Sequence, residues 1–493
     1  MHLQENRLAT SPTRSGRVVA VLAFAGIAAS LTQTMITPLI AQLPAIFDTS
    51  LSNTAWIVTA TLLAGAVAVP IAGRLGDLFG KRRMLLISTV PLILGGVLCA
   101  IAPSVEVMIA GRALQGAGTG LVPLGIAMLR DTVPREKLSS AIATVSATLG
   151  VGGAIGLPVA AAVIEFADWR TLFWGSAAVT VLAALALRLV LPAVPAAAAG
   201  QRFDAPGAIG LAIGLVSLIL AISQGSLWGW TSGVTLGLFA VAALVFVAWG
   251  FWETRTRDPL IDLRTAVRPR VLFTNIASIF VGFGMYASML VLPQVLQLPT
   301  STGFGLGQSV LAAGLWMAPA GLMMLVLSPV GGRLTDRRGP KFTLALGSAV
   351  IALGYGVALF GMGSVWGILA TSLVVNSGVA LAYGAMPALI MGSVPLSETA
   401  AANGFNTLMR SLGTTVGAAI VGVVLAQMTL ESGPGPVMPS EAGFRVVLVI
   451  GAGIAALATA VACCIPASKH GVDSGVAPTE GASTDSEPAL TSR

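Results

Sequence analysis

Charge is what this 493-residue sequence has little of: Asp, Glu, Lys and Arg make up 10% of it, against roughly 25% in an average soluble protein. A deficit of that size excludes a water-facing surface over most of the chain. Histidine is almost absent, with only His2 and His470, both outside the apolar runs. No His-based metal site or nucleophile–base triad can be assembled from them. The three cysteines, Cys99, Cys463 and Cys464, lie in apolar runs without metal-ligand spacing and read as packing residues. No glycine-rich loop ends in Lys-Ser or Lys-Thr, so the chain lacks the cradle that ATP-driven pumps use for phosphate. These absences predict neither an enzyme nor a protein with a cofactor or bound metal. A net charge of +7 would suit nucleic acid, but the cations are scattered through short loops, so no nucleic-acid partner is expected.

What is abundant is apolar sequence. Hydrophobic residues make up 55% and glycines number 58, and small residues let membrane helices approach closely. A crossing helix needs about 20 apolar residues. Runs of that length place crossings near 18–43, 55–74, 84–102, 105–129, 138–166 and 171–191. Two more follow near 205–223 and 233–252, then six near 271–298, 308–330, 342–360, 365–392, 400–427 and 443–464. The expected fold is an all-α polytopic membrane protein with about fourteen transmembrane helices. The Arg-bearing start and apolar run from Val18 read as an uncleaved first crossing. The segment from Ser468 is rich in Ser, Thr, Gly and Glu and is expected to be disordered.

The sparse cations fix an orientation. Arg7, Arg14, Arg17, Lys81, Arg82, Arg83, Arg130, Arg135, Lys137, Arg188 and Arg202 fall before the first crossing or on alternate loops. Arg255, Arg257, Arg264, Arg268, Arg270, Arg333, Arg337, Arg338 and Lys341 continue the pattern. The opposite loops hold only Arg170 and Arg445 among cations. By the positive-inside rule both termini are expected in the cytoplasm, in a cell membrane. Trp56, Trp174, Trp228, Trp230, Trp252 and Trp366 sit near run ends, as interfacial anchors do.

The chain also repeats itself. Gly73-Arg74-Leu75-Gly76-Asp77 recurs as Gly332-Arg333-Leu334-Thr335-Asp336, and Gly80 recurs as Gly339. Val133-Pro134 matches Val394-Pro395, and Gly152-xxx-Gly156 matches Gly413-xxx-Gly417. Two six-helix halves with two inserted helices explain this: 1–17 as an N-terminal segment, 18–192 and 271–464 as bundles, 193–270 as the insert, and 465–493 as a tail. Duplicated halves around a midplane site mark secondary transporters.

Taken together, these residues resemble the major facilitator superfamily, and within it the fourteen-span drug:proton antiporter branch. Gly73-x-Leu75-x-Asp77-x-x-Gly80-Lys81-Arg82 is similar to that family's loop between crossings two and three. Arg112-x-x-Gln115-Gly116-x-Gly118 is similar to its fourth-crossing signature, and Asp258 to Leu263 to the segment leading into the second half. Two positions depart from the branch. Gly156-Leu157-Pro158 displaces a proline, and Leu31-Thr32-Gln33-Thr34 has threonine where the branch carries aspartate. The resemblance implies export of amphipathic small molecules by alternating access, with protons as coupling ion, and a monomer in the bilayer. An uncoupled facilitator or lipid-handling carrier is the alternative, and a membrane sensor a third reading.

Candidate residues follow from chemistry. Asp77 could cap the amides at the start of crossing thirteen, which the resemblance places near Asn403 to Arg410, and so act as a latch between halves. Gly73 and Gly80 would allow the close approach, with Lys81, Arg82, Asp336 and Arg410 as associated latch residues; Lys81, Arg82 and Arg83 also read as topology determinants. Arg410 would pair with Asp77 or reach to the cytoplasm. Arg112, a guanidinium inside a crossing, either bridges carbonyls or serves coupling and anion attraction. Glu165 either titrates at a cavity mouth or is a solvated loop carboxylate. Gln33, Thr37, Gln115, Asn275, Tyr286, Gln294, Trp316, Asn376 and Tyr383 are candidate cavity residues, joined by Met285, Met289, Met317, Met323 and Met324. Gly152, Gly156, Pro158, Gly413 and Gly417 are candidate helix-packing residues.

Overall fold

The computed structural model describes residues 12–40, 42–430 and 438–466; the expected disordered tail from Ser468, and Arg7, lie outside them. Among the described residues the chain is helical, with no extended strand. The long helices are α1 (Pro12–Thr34), α2 (Leu51–Phe79), α3 (Lys81–Ala100), α4a (Val105–Ala117), α4b (Leu121–Thr132), α5 (Arg135–Phe166) and α6 (Arg170–Val190). Then come α7 (Ala205–Trp228), α8 (Gly233–Arg255), α9 (Pro269–Gln297), α10 (Val310–Arg338), α11 (Pro340–Gly361), α12 (Val365–Met391), α13 (Thr399–Gln427) and α14 (Glu441–Cys464). Thirteen helices among the described residues are long and apolar enough to cross a membrane.

The predicted fourth crossing is the exception. It is broken at Gly118–Gly120 into α4a and α4b, each too short to cross alone. Gly118 and Gly120 keep right-handed helical dihedrals, so the chain continues in the same sense through the turn. Counted as one crossing, the pair brings thirteen to fourteen. Close packing accounts for the glycine there: a Cβ on Gly118 would press into Leu92 and the Ser88 carbonyl.

Local chemistry sets the other boundaries. Side-chain oxygens of Ser50, Asp204, Ser232, Ser309, Ser364 and Ser440 accept from amides three residues on, capping the starts of α2, α7, α8, α10, α12 and α14. Gly80 (φ 96°) and Gly339 (φ 84°) end α2 and α10 in the left-handed region, where a side chain would be strained. They occupy the same place in the two repeats, so the duplication read in sequence is a duplication of backbone geometry.

The repeat also governs packing. Gly152 and Gly156 seat α5 on α1, where a Cβ would meet Ser30 and Thr34, and Thr34 Oγ1 donates to the Gly152 carbonyl at 3.2 Å. Gly413 and Gly417 seat α13 on α9 at Ile279 and Phe283 in the same way. Each half thus binds its fifth helix to its first through two glycines one turn apart. The halves meet along two seams, α2 against α13 and α5 against α10. On the second seam Gly332 faces Ser140, Gly321 faces Ala154 and Gly314 faces Pro158, from one end to the other. The inserted helices α7 and α8 pack on each other, with α7 resting on both α2 and α13.

Substituting Gly413→Ala is expected to lower thermal stability by about 1–3 kcal/mol, because its Cβ collides with the Ile279 carbonyl. Gly422→Ala, on the same helix with open space around it, is expected to be neutral. Melting of the two purified variants in detergent checks the contrast.

Candidate functional site

At the end carrying Gly80, the two halves are joined through the start of α13. Asp77 is fully buried near the end of α2. Its carboxylate accepts from the Ala400 amide at 3.0 and 3.1 Å and from the Ala401 amide at 2.9 Å. These are amides of the first turn of α13, where no intrahelical acceptor exists and the dipole is positive. The partner expected near Asn403 to Arg410 is therefore corrected to Ala400 and Ala401, because α13 starts at Thr399. Gly73 makes the approach possible, since a Cβ there would collide with the Ala400 carbonyl. Gly404 answers from the other helix, where a Cβ would stand 2.9 Å from the Val69 carbonyl.

Sequence reasoning passed over a second tie. Arg130 of α4b donates to the Val394 carbonyl at 3.2 Å and to Thr399 Oγ1 at 2.7 Å, gripping the segment just before the amides that Asp77 holds. Its neighbour Asp131 pairs with the buried Lys81 at 2.6 Å, fixing α3 to α4b within the first half. Topology alone explains a cation at that place but not an acid beside it, so Asp131 was the available signal. Lys81 is thus a partner of Asp131 rather than of the other half. Arg82 donates to the Arg188 carbonyl at 2.7 Å, also within the first half. Asp336, the repeat counterpart of Asp77, is exposed.

Between the halves lies a cavity of about 370 Å³, within the range of small-molecule sites. On α2 its lining runs from Val58 to Val69 and stops short of Asp77. Gln33, Thr37, Tyr286, Asn376 and Tyr383 line it, as do Met285, Met289, Met317 and Met324. Five other candidates are placed elsewhere, among them Met323, half-buried on α10 and not among the lining residues. Gln115 is buried and accepts from Arg112 Nη1 at 2.7 Å. Asn275 accepts from Asn406 Nδ2 at 2.9 Å, tying α9 to α13. Gln294 is half-buried in the last turn of α9. Trp316 meets Trp366 edge to face at 5.2 Å.

Arg112 lines the cavity and is 2% exposed. Its Nη1 donates to the Thr32 carbonyl at 2.9 Å as well as to Gln115, and its Nε is buried without a partner. Thr32 stands where the resembled branch carries an aspartate, so here the guanidinium is met by a backbone oxygen. Arg410 is the clearest correction. It lies in mid-α13, lines the cavity and sits 4.5 Å over the Tyr383 ring, away from Asp77. Glu165 is exposed near the end of α5 and is not among the lining residues.

A sequence model of the Major Facilitator Superfamily matches residues 22–208, 202–418 and 274–489. The chain belongs to the major facilitator superfamily. It is a multi-pass membrane transporter, not an enzyme. Over 421 residues it is 28% identical to the Multidrug resistance protein B homolog of Mycobacterium tuberculosis, covering 83% of this chain and 76% of that one. It is 26% identical over 379 residues to the Multidrug transporter protein MdtP of Bacillus subtilis, 76% of this chain and 69% of that one. The fold matches that of the human organic anion transporter MFSD10 with a TM-score of 0.66 at 15% identity, covering 91% of this chain and 99% of that one. It also matches the proton:xylose symporter XylE, with a TM-score of 0.64 at 15% identity over 92% and 96% of the two chains.

Replacing Lys81 by Met is expected to destabilise the protein by about 3 kcal/mol, because Asp131 is left largely buried without its cation. The double variant Lys81→Met, Asp131→Leu is expected to regain much of that loss. Thermal melting of both in detergent decides it.

Proposed function

We propose that this protein exports amphipathic small molecules by alternating access, with proton antiport as the drive. The observation that carries the reading is the relation of cavity to latch. Residues of both halves line the cavity, and the buried carboxylate and guanidinium ties between the halves, Asp77 and Arg130, stand together at one end of it. The tied end bears the basic loops, which the positive-inside rule assigns to the cytoplasm together with both termini. The cavity then lies outside the closed cytoplasmic seam, the state expected after substrate has been carried across. The multidrug names of the bacterial relatives support exported, chemically varied substrates, and the methionine-rich wall suits ligands of several shapes.

Opening toward the cytoplasm requires Asp77 to release the Ala400 and Ala401 amides. Protonation removes the negative charge that the α13 terminus holds, so a proton is a natural key for this latch. A second reading, an uncoupled facilitator, is favoured by one feature: no Asp or Glu is among the lining residues of the cavity.

Asp77→Asn is expected to cut export by roughly tenfold or more at normal expression, since the neutral amide side chain cannot reproduce a charge-assisted cap. Substrate accumulation in everted membrane vesicles measures this. In the same vesicles, accumulation should vanish when pH gradient and potential are both collapsed. Uptake that only equilibrates the substrate and is unchanged by that collapse would reject proton drive and leave the facilitator.

A further inference from the structure

The cavity wall carries charge of one sign. Arg112 and Arg410 line it, and its lining includes no aspartate, glutamate, lysine or histidine. Arg112 is partly satisfied by the Thr32 carbonyl and Gln115. Arg410 is not: it is 9% exposed, and among the described residues no hydrogen bond or ion pair holds its guanidinium. Asp77 is bound to the first turn of α13 and Glu165 is exposed on α5, so neither acid lies in the cavity wall. A cation at membrane depth is costly unless it is paired or faces water or a ligand.

The setting of Arg410 suits a ligand. Its central carbon lies 4.5 Å from the centre of the Tyr383 ring, and among the described residues no hydrogen-bond acceptor takes up its N–H groups. A free N–H edge is a fork for two oxygens of a carboxylate, sulfonate or phosphate. Met285 also lines the cavity and touches the same ring from its hydroxyl side, Sδ to Oη at 3.0 Å. Met289, Met317 and Met324 extend the apolar surface beyond it. A lipophilic cation would meet two like charges here and no counter-charge.

We propose that the cavity selects amphipathic organic anions, whose oxyanion head binds Arg410 and whose apolar body lies along the methionine wall. This rests on the transporter reading above and names its substrate class. The test uses the full chain in lipid nanodiscs and equilibrium dialysis, with binding to empty nanodiscs subtracted. Three probes are compared: 8-anilinonaphthalene-1-sulfonate; N-phenyl-1-naphthylamine, the same ring system without the sulfonate; and the cation ethidium. The wild-type protein is expected to bind the sulfonate roughly tenfold tighter than the neutral amine, and ethidium weakest. Arg410→Gln should bring the sulfonate-to-amine ratio close to one, and Arg410→Lys, keeping charge but losing the fork, should give an intermediate ratio. Equal or tighter binding of ethidium than of the sulfonate overturns the anion assignment and leaves the transporter reading standing. So does an unchanged ratio in Arg410→Gln. Binding of none of the three counts against both. Should Arg410→Gln fail to fold, the wild-type order of the three probes and the Arg410→Lys ratio decide.

Discussion

A single carboxylate in a helix terminus sets the condition on which the rest of this structure depends. Asp77 is fully buried and supplies the missing acceptors for the first amides of α13. Hydrogen bonds to charged groups contribute about 1.5–3 kcal/mol each, so the cluster holds the seam by a few kcal/mol. Reversing a two-state population from 1:99 to 99:1 takes about 5.5 kcal/mol. The two figures are of one order. A tie of that size is comparable to what a bound ligand or a single proton can supply. Gly73 and Gly404 serve this contact by letting the backbones cross closely enough for the carboxylate to reach.

The electrostatics of the cavity bear on the drive. Carrying a monoanion out of a cytoplasm held at negative potential is favoured by about 2.3 kcal/mol per 100 mV. A transporter of anions therefore needs less from its own titratable groups than a transporter of cations does. Thr32 and the absence of lining acids fit that economy, since an aspartate beside Arg112 would cancel one of the two cavity charges. The titratable group that remains buried between the halves is Asp77, at the latch rather than in the cavity. Coupling, where present, then acts on access and not on substrate charge.

Much of this was legible in the residues. Apolar runs, alternating cations and the repeated Gly73 and Gly332 segments carry the crossings and the duplication, because lipid imposes the same length and polarity rule on every helix. Asp77 was legible because an acid amid glycines and cations has few structural uses. Arg410 was misread for a reason of pitch. It lies eleven residues beyond Thr399, about 16 Å along a helix, and so faces the cavity rather than the latch. Arg130 was hidden by its own adequacy as a topology signal, and its acceptors at Val394 and Thr399 are 264 and 269 residues away in sequence. The break in the fourth crossing was hidden because Gly-rich turns also occur in unbroken membrane helices.

The inserted pair α7 and α8 takes its place from the same seam. Where α5 meets α10, close glycine contacts run from Ser140 to Pro158. Where α2 meets α13, Gly73 and Gly404 bring the two backbones together at the Val69–Gly73 and Ala400–Gly404 end. Beyond it α7 rests on both helices, its Ile219 lining the cavity and its Gln224 donating to Thr59 on α2 at 3.3 Å. It thus covers the α2–α13 seam on the side away from the latch. The Gln224–Thr59 hydrogen bond and the Trp56–Trp228 ring contact at 6.4 Å tie α7 to α2, while its contact with α13 through Leu211, Leu215 and Leu408 is apolar. The insert is thus anchored on the first half and closes one side of the cavity, where Ile219 forms part of the wall.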